Sequence, residues 1–235
     1  MKKAVTGIIL LVSCIVILLS CSKEPENAIE RNYQHVNFNK IEAGNQHRFA
    51  ITKGTSYAIH ARGEERDIND LVLSVTDSSL KIGYDHYRSN RKRVYFTITL
   101  PSIEGLVLAG QSEATLSGFA ETDLVNFNIS GQSACWVNMS APKFLLQASG
   151  QSKIEFQGGT ATGFEADASG QSEILAYGLS TVVAADVTAT GQSTIKIKVG
   201  NIFTANASGQ SRIYYQGDPL IKNIIQTGDS RVIQE

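Results

Sequence analysis

Ser169-Gly170-Gln171-Ser172-Glu173-Ile174-Leu175-Ala176 is the stretch on which the fold turns. Its first four residues recur at Ala109-Gly110-Gln111-Ser112, Ser130-Gly131-Gln132-Ser133, Ser149-Gly150-Gln151-Ser152, Thr190-Gly191-Gln192-Ser193 and Ser208-Gly209-Gln210-Ser211. A last, altered copy stands at Thr227-Gly228-Asp229-Ser230. Successive glycines are 21, 19, 20, 21, 18 and 19 residues apart. A period so narrow and so often repeated marks a stacked repeat architecture, in which each unit buries its apolar face only against its neighbours.

The residues that follow each serine alternate with the period of two that belongs to a strand. Two positions after the serine stand Ala114, Cys135, Ile154, Ile174, Ile195, Ile213 and Val232, and two further on Leu116, Val137, Phe156, Ala176, Ile197, Tyr215 and Gln234. Directly after each serine, ahead of the first column, lie Glu113, Ala134, Lys153, Glu173, Thr194, Arg212 and Arg231. The first two columns are expected to face a core and the third solvent. Four residues before each glycine comes another apolar column: Leu106, Phe127, Leu146, Ala166, Val187, Ala205 and Ile224. Residues 105–235 therefore read as an all-β parallel solenoid of about twenty residues per coil, with coils about 4.8 Å apart. The glycine suits a corner that needs positive φ. Stacked Gln111, Gln132, Gln151, Gln171, Gln192 and Gln210, with the serines and threonines beside them, are placed to hydrogen-bond from coil to coil. Cys135 falls in the isoleucine column and reads as a small buried hydrophobe.

Residues 33–104 lack the signature but carry strand-like runs at 48–52, 57–61, 71–76, 80–84 and 94–100. An open solenoid end exposes unpaired backbone and core side chains, so this region is expected to be an antiparallel β cap continuous with the stack. It holds the one dense basic segment, Arg88-Ser89-Asn90-Arg91-Lys92-Arg93. Arg88, Arg91, Lys92 and Arg93 are either the solvated tip of a hairpin or a contact for an anionic glycan or lipid headgroup.

The N-terminus has the layout of a secretory signal over residues 1–20: Lys2 and Lys3, an apolar run to Leu19, then an abrupt polar switch. Leu18-Leu19-Ser20-Cys21 resembles the lipobox of bacterial lipoproteins, which makes Cys21 the expected lipidation site and membrane anchor. Leu11-Val12-Ser13-Cys14 fits the same pattern, but cleavage there leaves Ile15 to Leu19 as an exposed apolar tail; an uncleaved anchor is the other alternative. Each places the folded part outside the cytoplasm. Residues 21–32 are polar and charged and read as a flexible tether. Of 21 basic residues, 19 remain without Lys2 and Lys3, against 22 acidic ones, a net charge of −3 that does not suit a nucleic-acid partner. Cys135 is the only cysteine after residue 21, so the fold has no intrachain disulfide to rely on.

Reactive constellations are sparse. His35, His47, His60 and His86 all precede the repeats and lack metal-ligand spacing, so no metal or other cofactor is expected. Glu113 and Glu173 lie three coils apart, roughly 14 Å, with Lys153 between, too far for a pair of glycosidase carboxylates. Glu165, Asp167 and Asp186 precede neighbouring corners and are the candidate acidic group, weighed against ordinary solvent-facing acids. Trp136, Tyr177, Tyr214 and Tyr215 are candidates for an aromatic sugar-stacking surface, although Tyr215 sits in an inward column.

The lipoprotein leader, the β segment beginning near Phe38-Asn39-Lys40-Ile41, Leu100-Pro101-Ser102-Ile103 before the first repeat, and the Ser-Gly-Gln-Ser-like turns together resemble the head GIN domain family of auto-transporter adhesins common in Bacteroidetes. The resemblance covers nearly all of the chain after the leader. It implies a right-handed parallel β-helix and a surface adhesin, and brings no catalytic residues. Three functions stay in view: an envelope- or surface-tethered, non-enzymatic binding module for a glycan or a host or cell-surface protein; a pectinase-like polysaccharide-degrading enzyme, since fold does not decide activity; and a structural envelope protein that self-associates through its last coil. The expected location is the outer membrane, with the folded part facing the periplasm or the cell exterior.

Overall fold

The computed structural model describes residues 27–235. The N-terminal part comprises β1 (Ala28–Tyr33), β2 (Lys40–Ala43), β3 (Arg48–Lys53), β4 (Ala58–Glu64), the short helix α1 (Glu65–Asn69), β5 (Leu71–Thr76), β6 (Ser79–Tyr84) and β7 (Tyr95–Leu100). The repeats follow as β8 (Gly105–Leu108), β9 (Glu113–Ala120), β10 (Val125–Ile129), β11 (Ala134–Ser140), β12 (Lys143–Ala148), β13 (Lys153–Gly158) and β14 (Gly163–Ala168). They continue as β15 (Glu173–Ala176), β16 (Ala184–Ala189), β17 (Thr194–Lys198), β18 (Ile202–Ala207), β19 (Arg212–Gln216), β20 (Ile221–Gln226) and β21 (Arg231–Gln234).

Each repeat gives one strand to each of two sheets. Sheet A stacks β9, β11, β13, β15, β17, β19 and β21; sheet B stacks β8 and the even-numbered strands β10 to β20. All neighbours in these runs are parallel. The chain is thus a β-solenoid of about twenty residues per coil, as the repeat demands. Register keeps like over like: Cys135 pairs with Ile154, Ile154 with Ile174, Ile174 with Ile195 and Ile195 with Ile213. All five are buried, as are Leu106, Phe127, Leu146, Ala166, Val187 and Ala205 in the facing column of sheet B. Burying each isoleucine contributes roughly 1.5–3 kcal/mol. Phe127, Phe144, Phe156 and Phe164 continue the interior as a chain of tilted and edge-on aromatic contacts.

The structural unit extends beyond its sequence signature. Strand β2 lies parallel to β8, and β3 to β9. Beneath them β6 lies parallel to β2, and β7 to β3. Two further coils therefore stand where a wholly antiparallel cap is expected. The first was hidden because its corner reads Asn45-Gln46-His47 instead of Gly-Gln-Ser: Asn45 takes the glycine's conformation at φ 67°, and His47 is buried as the corner serines are. The second has no corner at all, since residues 85–94 run between β6 and β7. The antiparallel closure is made by β5 on β6, β4 on β7 and β1 on β4. Asp77 and Ser78, both at positive φ, turn β5 into β6 in the manner of a tight primed hairpin. Residues 28–32, expected in the tether, belong to β1. At the other end, all six residues of β20 are exposed, Ile221 at 58% and Ile225 at 52% among them.

Candidate binding surface

The corner column has a structural task. Its seven glycines hold φ between 68° and 76°. A Cβ on Gly150 would come 2.7 Å from the carbonyl oxygen of Gly131 in the coil below, the same oxygen that accepts the Gln151 backbone N–H at 2.7 Å. The exposed glutamines form one line of amide hydrogen bonds: Gln111 donates to Gln132, Gln132 to Gln151, Gln151 to Gln171, Gln171 to Gln192 and Gln192 to Gln210, at 2.8–3.0 Å. Asp229, an acceptor without donors, stands at the next rung. The serines form one buried column and bond from coil to coil as expected, though to backbone groups and not to one another's hydroxyls. Ser152, Ser172, Ser193 and Ser211 are buried and donate to the backbone carbonyls of Ile129, Ala148, Ala168 and Ala189. Inside the dry core a hydroxyl is held by the strand of the coil below.

The basic loop folds onto the helix beside it. Arg88 and Arg91 each pair with both Asp67, which is fully buried, and Asp70. The Lys92 backbone N–H donates to Asp67 Oδ2 at 2.8 Å, Arg91 lies 3.5 Å over the Tyr84 ring, and Arg93 pairs with Glu113 at 2.9 Å. Among Arg88, Arg91, Lys92 and Arg93, three guanidiniums face internal carboxylates and Lys92 alone leaves its side chain exposed. This arrangement suits a stapled loop better than an anion cradle. Tucked under it, His47 packs edge-on against Phe96 and Phe49; burial and then the Arg91 charge lower its pKa to about 3.

Glu165 pairs across the strands of sheet B with Asp186, and Asp167 with Thr188. Burial, Glu165 and Asp186 raise the Asp167 pKa, opposed by a hydrogen bond from Thr188. Lys143 neutralises Glu165 at 2.7 Å. Glu165 and Asp167 are exposed on the outer face of sheet B. Among the described residues no group of three His, Cys, Asp or Glu side chains is arranged to hold a metal ion. Cys135 is buried, and burial pushes its thiol pKa up, away from thiolate chemistry. Cys21 lies outside the described residues.

The outer face of sheet A is different. One register column runs Thr97, Ala50, Thr115, Trp136, Glu155, Leu175, Lys196 and Tyr214 from β7 to β19. The Lys196 ammonium lies 4.8 Å from the Tyr214 ring centre and 5.8 Å from that of Tyr177. Tyr215, in contrast, points inward at 5% exposure and packs on Phe203. Near the capped end the face dips into a recess of about 400 Å³. Tyr95, Arg48 and Glu113 stand on one side, Trp136 on the other, and Ala50, Thr97 and Thr115 form the floor. Sequence reasoning found Trp136 but not Tyr95 or Ala50, since these belong to coils whose corner signature is lost.

The family model described as "Putative auto-transporter adhesin, head GIN domain" matches residues 37–219. The chain belongs to this family. Its head GIN domain is similar in fold to several solved structures. A "putative adhesin" from Bacteroides fragilis superposes with a TM-score of 0.82 at 23% identity, covering 89% of this chain and 98% of that one. A "putative adhesin" from Parabacteroides merdae gives 0.65 at 15% identity (90% and 98% covered), and a "putative lipid binding protein" from Parabacteroides distasonis 0.66 at 17% (89% and 97%). No curated protein matches the chain.

Proposed function

We propose that this head GIN domain is an envelope-tethered, non-enzymatic binding module, anchored through lipidated Cys21 at the outer membrane. Its partner on this reading is a glycan or a cell-surface protein. The observation that carries the reading is the outer face of sheet A: aromatic and charged side chains project in register from strands whose backbone bonds are already made, on a scaffold that cannot rearrange without breaking its stack. Family membership fits a surface or envelope role. The acids of sheet B stand together on an exposed face with Lys143 against Glu165, an arrangement that gives little support to hydrolysis.

The test is adhesion of cells displaying the full chain, scored against glycan and protein surfaces, beside an assay for reducing-sugar release from pectin-like substrates. Adhesion without sugar release is expected. Sugar release that disappears in Asp167→Asn would replace this reading with an enzymatic one. A second reading, self-association through the exposed Ile221 and Ile225 of β20, predicts a dimer mass in solution, and a strictly monomeric mass removes it.

A further inference from the structure

We infer that the recess between Tyr95 and Trp136 is a carbohydrate subsite that seats one pyranose ring of a glycan. The inference rests on the binding-module reading above and gives it a ligand class and a place.

Three features of the recess converge. Its floor is low because Ala50, Thr97 and Thr115 are small, while larger side chains stand in the same face on both sides: Tyr95 on β7 and Trp136 on β11. A sugar ring has one apolar C–H face and a rim of hydroxyls, and an indole or phenol face is the side chain that covers the first without desolvating the second. Second, the rim carries donors held in place. Glu113 Oε2 accepts from Arg48 Nε at 3.0 Å, and Oε1 from Arg93 Nη1 at 2.9 Å. Arg93 thus helps to hold Glu113, and Arg48, the guanidinium that lines the recess, keeps N–H groups to spare, fixed before any ligand arrives. On the floor the Thr115 hydroxyl donates to the Phe49 carbonyl at 3.4 Å and so presents its lone pairs to a ligand.

Third, the recess excludes the other common occupants. An extended peptide that binds by strand addition needs an unpaired sheet edge, but β3 and β9 are interior strands paired on both sides. An acyl chain needs a deep apolar cavity, whereas the floor residues of this recess, Ala50, Thr97 and Thr115, are exposed on the sheet face beside an ion-paired cluster. The column also continues past Trp136 to Tyr214 on β19, four strands and about 19 Å away. A longer glycan has a track along the face, with the recess as its anchoring point.

Trp136 is the only tryptophan in the chain, so tryptophan emission, excited selectively over tyrosine, reports on the recess. The experiment titrates the full chain in detergent micelles with cellotetraose, chitotetraose and tetragalacturonate, reading Trp136 emission and, in parallel, calorimetric heat. At least one of the three is expected to shift the emission saturably. Ala50→Trp, which fills the floor from an exposed position, should weaken calorimetric binding at least tenfold at unchanged melting temperature, and Trp136→Ala should do the same. Glu165→Gln, on the exposed face of sheet B and away from the recess, should leave tetrasaccharide binding within threefold of the parent. No emission change and no heat with all three glycans overturns the subsite, as does undiminished binding by Ala50→Trp. If cells displaying Ala50→Trp still adhere as well as the parent, the subsite falls while the binding-module reading stands; if the parent chain adheres to nothing, both fall.

Discussion

The corner glycines can be tested against a control that the chain itself supplies. Asn45 occupies the same corner at φ 67°, and asparagine is among the few residues that adopt left-handed backbone readily. Positive φ alone therefore does not require glycine here. What Asn45 lacks is a corner beneath it, because residues 85–94 replace the corner in the β6–β7 coil. Gly150 does have one: a Cβ there would lie 2.7 Å from the Gly131 oxygen and 3.2 Å from its nitrogen. Relieving that contact means moving the corner and stretching the 2.7 Å bond from Gln151 N–H to Gly131 O. A lost backbone hydrogen bond costs about 1 kcal/mol, and local overpacking about 1–3 kcal/mol. Gly150→Asn is thus expected to destabilise by about 3 kcal/mol, lowering the melting temperature by roughly 6–12 °C for a domain of this size. Gly228, at the last corner, has looser contacts of 3.1 and 3.4 Å, so Gly228→Asn should cost about 1 kcal/mol or less. Asn45→Gly should change stability by less than about 1 kcal/mol. Thermal melts followed by circular dichroism decide the matter. Equal melting temperatures for Gly150→Asn and Asn45→Gly would refute the stacking argument.

Three more outcomes follow from the same geometry. Ile174→Asp, which puts a carboxylate into a column that is buried from Ala114 to Ile213, should prevent folding, while exposed Glu173→Ser stays within about 0.5 kcal/mol; comparing soluble yield and melting checks both. Gln151→Ala removes two rungs of the amide line and should cost about 1 kcal/mol in urea unfolding, and Gln210→Ala, which removes one, about half of that. Buried His47 stays neutral in the folded chain, with its pKa lowered from 6.5 to about 3. The unfolded chain takes up a proton first, so this contribution is complete above pH 6.5 and is lost as pH falls toward 3, by about 2 kcal/mol at pH 5. His47→Phe should flatten that part of the urea-midpoint profile between pH 7 and pH 5; an unchanged slope would count against the assignment.

The stack was legible because its demands are local. A coil of about twenty residues must place Ile154, Ile174 and Ile195 at fixed distances from a glycine, and that regularity is visible without any structure. The capped end was harder to read for two physical reasons. Where the coil below lacks a corner, the selection for glycine disappears, so Asn45-Gln46-His47 no longer resembles its siblings. The spatial order of the first coils also departs from chain order: β6 and β7 lie beneath β2 and β3, and their antiparallel partners interleave with them in sequence. The loop at 85–94 showed its charge in sequence, but not that Asp67 and Asp70 would meet it. The recess was only half visible, since Trp136 lies within a recognised repeat and stands out as an aromatic, whereas Tyr95 and Ala50 join it only through a pairing that no periodicity announces.

At the centre of the account is a division of labour: the Gly-Gln-Ser corners hold the stack, and on the proposed function the outer face of sheet A is the surface that meets a partner. The measurement that tests it most directly is adhesion of cells displaying a variant in which Trp136, Lys196 and Tyr214 are all serine, set beside its melting temperature. Adhesion should be lost while melting stays within a few degrees of the parent. Undiminished adhesion by this variant, or adhesion lost instead when only Gln151 and Gln171 are replaced in a chain that remains folded, would contradict it.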